Sequence, residues 1–179
     1  MSQPTIQPSK SEHWNTPPEV VERVRLFAGG QIALDPCSNE FSNVGAKVAL
    51  TKEQDGLNAY WHELTEPGDL IFINPPYDKE TIEEVAKRSL AIARLFYRDV
   101  LLLVPTKSDQ DWFQNETLVR ARAVCFIKGR VKFWDKGKVC KGGAAFPCCL
   151  IWFGSANSTR SDDNFSEAFS SLGRCLKLR

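Results

Sequence analysis

A carboxamide, two prolines and an aromatic ring stand in a row at Asn74-Pro75-Pro76-Tyr77, directly after an apolar run from Asp69 to Ile73. Proline fixes φ and pushes the residue before it into an extended conformation, so Asn74 and Pro75 are both held stiffly. The Asn74 side-chain oxygen and the Pro75 carbonyl can then accept hydrogen bonds from one planar amino group, while Tyr77 offers a face for a planar ring to stack on. That combination suits the exocyclic amine of a base. Two acceptors on an aniline-like nitrogen disfavour its conjugation with the ring and free its lone pair for in-line attack on an electrophilic methyl group. The plainer alternative, a strand terminator or an exposed Pro-Pro-Tyr ligand for a peptide-binding module, sits badly with the buried strand in front of it.

Such a turn needs a rigid strand behind it and neighbours that bring other groups alongside. Asp69 to Ile73 and Val100 to Val104, the latter closed by Pro105, read as central parallel strands covered on both faces. Between them Ile82, Val85, Ala86, Leu90, Ala93 and Phe96 recur at helical spacing, predicting a helix from about Glu80 to Tyr97. Upstream, Thr16-Pro17-Pro18-Glu19 predicts a capping box and a helix over 17–28, stopped by Gly29-Gly30. Ile32 to Leu34 reads as a short strand entering Asp35-Pro36-Cys37-Ser38, and Val48 to Leu50 as another before the polar turn 52–56. Ser108 and Asp111 suggest a capped helix to about Leu118. Strands are expected at 123–127, 131–133 and 148–153, the last of them pairing antiparallel. Residues 1–12 read as a flexible arm, and 155–179 as a polar tail in which Phe165, Phe169 and Leu172 hint at a short docking helix. The alternation predicts an α/β fold: a mostly parallel central sheet, helices on both faces and an antiparallel C-terminal strand pair. Sheets of that kind bind ligands beyond the carboxyl ends of their strands, where Asp35, Asn74 and Pro105 all fall.

At 179 residues, 42% hydrophobic and 25% charged, the chain has the size and composition of one globular domain, which excludes collagen-like, coiled-coil and wholly disordered classes. No apolar stretch approaches the ~18 residues of a membrane helix, and the polar start lacks the features of a signal peptide. A cytoplasmic protein is the expectation. In a reducing compartment its six cysteines are expected as free thiols, with Cys148 and Cys149 on opposite faces of a strand. No C-x-x-C pair occurs, and His13 and His62 lie far from the cysteines, so no metal site is expected. The net charge of +1 hides a strong asymmetry: eight basic residues lie between Arg120 and Lys141 against the single acid Asp135. Such a run is a footprint for a polyanion or, more plainly, a solvated hairpin edge guarded by lysines.

Trp14-Asn15-Thr16-Pro17, Leu34-Asp35-Pro36-Cys37-Ser38-Asn39, Gln54-Asp55-Gly56-Leu57, Trp61, Phe72-Ile73-Asn74-Pro75-Pro76-Tyr77 and Gly129-Arg130-Val131-Lys132-Phe133 together resemble the phage-type DNA N6-adenine methyltransferases (Dam-like). The resemblance implies a Rossmann-like methyltransferase domain over 13–154 with a basic DNA-binding loop at about 128–146. It implies S-adenosyl-L-methionine as cofactor, contacted by Trp14, Thr16, Pro17, Asp35, Pro36, Cys37, Asp55 and Asn74. Asn74, Pro75, Pro76 and Tyr77 would be the catalytic residues. Arg130, Lys132, Lys136, Lys138 and Lys141 would hold DNA while the adenine is extruded, since N6 is hidden in the base pair. The first strand lacks the Gly-rich turn of many methyltransferases, a departure that the phage-type group shares. With no separate recognition domain evident, specificity for a site would be short or relaxed, and the purpose would be modification of a phage genome against restriction. Asn-Pro-Pro-Tyr also occurs in enzymes methylating RNA bases and protein glutamine amides, so those acceptors remain open, as does a non-catalytic nucleic-acid-binding module.

Overall fold

The computed structural model describes residues 14–140 and 143–179. The arm expected over 1–12, His13 and Lys141 lie outside them. In chain order the elements are β1 (Trp14–Asn15), α1 (Pro18–Ala28), β2 (Leu34–Asp35), β3 (Val48–Ala49), β4 (Leu70–Ile73), α2 (Lys79–Leu95), β5 (Asp99–Pro105), β6 (Ala123–Ile127), β7 (Trp134–Asp135), β8 (Lys138–Val139), β9 (Cys148–Phe153), α3 (Asp162–Phe169) and β10 (Gly173–Lys177). A seven-stranded mixed sheet runs in the order β10-β6-β9-β5-β4-β2-β3. The pairs β2–β3, β2–β4 and β4–β5 are parallel, whereas β5–β9, β6–β9 and β10–β6 are antiparallel. The sheet is therefore half antiparallel rather than mostly parallel with one antiparallel pair, because β9 returns between β5 and β6 and β10 adds an edge.

Alternation along the strands builds two cores. Leu70, Phe72, Leu101, Leu103 and Trp152 face α1 and α3, whereas Ile71, Ile73, Val100, Leu102 and Ile151 face α2. Cys148 and Cys149 fall into opposite cores, as expected for adjacent residues of a strand. The result is a mixed α/β fold with helices on both faces, consistent with a methyltransferase-like architecture.

Several local expectations need correction. Helix α1 starts one residue late: Pro17 takes the cap position at φ −59°, ψ 144°, and no side chain caps the helix. Pro18 forces this, since a residue before proline is driven out of the helical region. The side chain of Asp78 caps α2 by accepting from Thr81 N at 2.9 Å. The helix expected after Ser108 is a six-residue π-helical turn, Trp112–Thr117, with no side-chain cap. That wide turn buries Trp112 and Phe113, which are adjacent in sequence and meet edge to face. Residues 131–133 form no ladder; Val131 and Phe133 bond through their carbonyls to Ala144 and Cys140 instead. Their side chains still alternate, Val131 and Phe133 buried and Lys132 exposed. The polar tail is integral to the fold, with α3 opening on a full capping box between Ser161 and Asn164 and β10 completing the sheet.

At the end of the sheet remote from Asn74, Asp99 is fully buried and carries an ion pair with Arg160 at 2.9 Å. Asp99 also accepts from Ser155 N at 2.7 Å and from Ser158 Oγ. Arg160 gives three further donors to the carbonyls of Phe27, Ala28 and Gly68. Arg160→Met would strand a buried carboxylate, and breaking such a pair costs about 3–5 kcal/mol. Urea denaturation should show that loss, and a change below about 1 kcal/mol, the worth of an exposed pair, would mean the cluster adds little.

Candidate active site

The loops that follow β2 and β4 lie beyond the carboxyl ends of their strands, beside β5. From β4 comes Asn74, whose Nδ2 donates to the Trp14 carbonyl at 3.0 Å. Because that carbonyl can only accept, the orientation of the carboxamide is settled and Oδ1 points the other way. There it accepts from the Tyr77 hydroxyl at 2.7 Å, and the same hydroxyl lies 3.2 Å from the Leu103 carbonyl of β5. Burial pushes the Tyr77 phenol well above its usual pKa, so it stays a neutral donor. Sequence reasoning assigns Tyr77 a stacking face and no use for its hydroxyl. Pro75 is buried and Pro76 exposed, which leaves the turn rigid with one side open.

Rings gather around this turn. Tyr77 meets Phe133 and Phe146 edge to face at 5.7 and 5.4 Å, and Trp14 stacks on Phe133 at 5.6 Å and 11°. Phe133 is core, whereas Trp134 is half-buried on β7. The cluster fastens the basic segment to the Asn74 turn, and the backbone does so as well: Trp14 and Asn15 of β1 pair with Asp135 and Trp134 of β7. A two-residue turn closes β7 on β8, with Lys136 at φ 47° and Gly137 at φ 76°. Positive φ at both central residues marks the hairpin turn that suits strand twist. Lys136 and Lys138 stand exposed on this hairpin, and Arg130 and Lys132 are exposed on the segment leading into it. The expected loop of 128–146 is thus partly a β-hairpin.

From β2 comes Asp35, only 3% exposed. Its carboxylate accepts from Cys37 N at 3.1 Å and from Ser42 Oγ at 3.4 Å. Burial outweighs those bonds and raises its pKa from 3.8 to about 6. Beside it, burial and the Asp35 charge push the Cys37 thiol far up, so it remains protonated. Asn15 ties the N-terminal segment to this loop by accepting from Asn39 Nδ2 at 2.8 Å, a link across 24 residues of chain that no local pattern signals. Thr16, expected as a helix cap, instead has a buried Oγ1 with no hydrogen-bond partner. Asp55 lies exposed in a turn at φ 51° and holds Asn58 Nδ2 at 2.9 Å. Gly56 next to it packs so closely that a Cβ would stand 2.2 Å from the Pro36 carbonyl, and this close approach seats the Asp55 turn against the Asp35 loop. Trp14, Thr16, Pro17, Asp35, Pro36, Cys37, Asn74 and Tyr77 are therefore brought to one end of the sheet, with Asp55 at its margin. Among the described residues no cluster of His, Cys, Asp and Glu could hold a metal ion.

A raised carboxylate pKa means that the folded state binds the proton more tightly than the unfolded one, so stability falls as pH rises from about 4 to about 6. At roughly 1.4 kcal/mol per unit, Asp35 costs up to about 3 kcal/mol above pH 6. Asp35→Asn should therefore be more stable than the unchanged protein at pH 8, with the gap closing near pH 4. Thermal melts across that range check this, and a gap independent of pH would refute it.

Residues 3–163 match the DNA N-6-adenine-methyltransferase (Dam) family. No curated protein matches the chain. The family match takes in the N-terminal segment, the Asp35 loop, the Asn74 turn and the basic hairpin, all of which meet at one end of the sheet. The chain belongs to the DNA N-6-adenine-methyltransferase (Dam) family.

Proposed function

We propose that this chain transfers a methyl group from S-adenosyl-L-methionine to N6 of an adenine extruded from DNA. The observation that carries the reading is the Asn74 carboxamide, fixed from both sides by Trp14 O and the Tyr77 hydroxyl. A carbonyl oxygen has two lone pairs, so Oδ1 can accept from Tyr77 and still take one hydrogen of an incoming amine. The Pro75 carbonyl takes the other. Neither Asn74 nor Tyr77 can accept a proton, one being an amide and the other a phenol held neutral by burial, so the site works by orientation rather than as a base.

The cofactor fits the groups on the β2 side. Thr16 Oγ1 is a buried hydroxyl in need of a partner, and Asp35 is a buried carboxylate whose proton affinity burial raises. Ligands supply such missing partners. Thr16, Pro17, Asp35, Pro36 and Cys37 would hold the cofactor, with Trp14, Asn74 and Asp55 at its borders. When bound, S-adenosyl-L-methionine supplies an electrophilic methyl on a positively charged sulfur.

DNA is the acceptor implied by the family, and the exposed cations of the hairpin support it. Arg130, Lys132, Lys136 and Lys138 would neutralise phosphates beside the catalytic turn, and Lys141 would join them. With one short basic hairpin among the described residues to read bases, specificity would be relaxed or confined to a short site. A protein acting on intracellular DNA would work in the cytoplasm, and modification of a phage genome against restriction is the biological setting we favour. No helix among the described residues is long and apolar enough to cross a membrane.

Asn74→Ala should lower single-turnover methylation of adenine-containing duplexes by about a hundredfold to a thousandfold, the usual cost of removing a preorganised polar group. Tyr77→Phe should lose roughly tenfold in kcat with little change in KM, as expected for one hydrogen bond to the orienting amide. Full activity in Asn74→Ala would sink the reading, and wild-type kcat in Tyr77→Phe would show that the hydroxyl orients nothing. Lys136→Gln with Lys138→Gln should reduce the slope of log K against log salt by about 0.9 for each phosphate that is no longer neutralised. An unchanged slope would make these lysines a solubilising edge.

A further inference from the structure

The run of basic residues between Arg120 and Lys141 does not stay together in the fold. Arg130, Lys132, Lys136 and Lys138 follow β6, at the end of the sheet that carries Asn74. Arg120 and Arg122 precede it, and the five residues of β6, roughly 17 Å of strand, hold the two groups apart. At the far end they meet Arg94 from the last turn of α2, Lys177 from β10 and Arg179 beyond it around a cavity of about 400 Å³.

This cavity has a cationic rim and an apolar floor of Leu90, Ala93 and Phe153. Asp162 is the one carboxylate among its described lining residues. Arg122 Nε and Lys177 Nζ occupy its two oxygens, at 2.9 and 2.7 Å. Arg122 also lies over the face of Trp152, 4.7 Å from the ring centre. Gly154 makes room for it, since a Cβ there would stand 2.7 Å from Arg122 Cδ. Arg179 is anchored through Nε on the Val119 carbonyl at 2.8 Å. Arg94, Arg120 and Arg179 form no ion pair among the described residues. Five cations sharing one carboxylate repel one another, and a ligand with several anionic oxygens relieves that cost. Guanidinium groups suit phosphate in particular, through paired N–H donors. The volume admits a nucleotide as well as a bare ion, while Ala93 and Phe153, 2% and 1% exposed, leave a base little to stack on.

We propose that this cavity is a second anion site, separate from the methyl-transfer centre, that binds the phosphates of a nucleotide, either free or at the 5′ end of a nucleic-acid strand. The Arg94, Arg120 and Arg179 guanidiniums take the phosphate oxygens, and the remaining volume beside the Leu90, Ala93 and Phe153 floor admits the nucleoside.

Isothermal titration calorimetry of the full chain in magnesium-free buffer, with inorganic triphosphate, ATP and a 5′-phosphorylated tetranucleotide as probes, tests this. Arg94→Gln/Arg120→Gln/Arg179→Gln leaves both pairs to Asp162 in place, and circular dichroism checks its fold. At least one probe should bind saturably, and the triple variant should weaken it about tenfold or more, the worth of one or two charge-assisted hydrogen bonds. For triphosphate and ATP, which are too short to span the hairpin and the cavity, Lys136→Gln/Lys138→Gln should leave binding unchanged. Tighter binding of ATP than of triphosphate assigns the floor to a free nucleotide, tighter binding of the tetranucleotide assigns it to a strand end, and equal affinities leave phosphate as the group recognised. Absence of saturable binding by all three probes, or binding untouched by the triple variant, overturns the proposal. If the triple variant does not fold, Arg94→Gln alone, at an exposed position of α2, should still weaken binding about threefold, and no change would count against the site.

Discussion

Asp99 opens the central strand β5 with a carboxylate that has no access to water, and one end of the molecule is organised to satisfy it. A buried charge is tolerated only when paired and fully hydrogen-bonded. Here the partners are Arg160 and the loop that starts at Ser155, both of which reach Asp99 only after β9 has crossed the sheet. Arg160 then gathers the end of α1 and the turn before β4 by their carbonyls. That end of the sheet is pinned by electrostatics. The opposite end can consequently be assembled from loops, whose polar groups are left for ligands.

At the loop end, order comes from a hydrogen bond spanning sixty residues of chain, between the Asn74 carboxamide and the Trp14 carbonyl. Trp14 belongs to the strand that pairs with the basic hairpin, and Asn15 next to it grips the Asp35 loop through Asn39. One dipeptide thus touches the Asn74 turn, the Asp35 loop and the basic hairpin. A force applied to the hairpin has a short covalent and hydrogen-bonded route to the Asn74 carboxamide.

Much of this was legible in the residues. The apolar runs ending at Asn74 and Pro105 are strands because nothing polar interrupts them, and the spacing of Ile82, Val85, Ala86 and Ala93 leaves no alternative to a helix. The site turn announced itself through two consecutive prolines. What escaped the sequence depended on partners that arrive later in the chain. Thr16 looks like a cap until the effect of Pro18 on Pro17 is counted, and the Tyr77 hydroxyl finds the Leu103 carbonyl only once β4 and β5 lie side by side. β10 is short, contains Arg174 and Lys177, and alternates weakly, so nothing local distinguishes it from a tail. The separation of Arg120 and Arg122 from the other cations is invisible to a count along the chain, because a strand between them reverses no charge yet carries the chain the whole length of the sheet.

β10 also covers something that should stay covered. Ala123 to Ile127 of β6 is a five-residue segment with strong β propensity, no charge and no proline, the composition that stacks readily with copies of itself. In the fold its two backbone edges are taken by β9 and β10, and β10, the outermost strand, carries Arg174 and Lys177. Charged residues on an outermost strand discourage further pairing. The other margin of the sheet, β3, is only two residues long and offers little to pair with. Clipping of the chain within 173–177 by a protease would uncover the β6 edge and favour self-association, even though every residue of the candidate site would still be present.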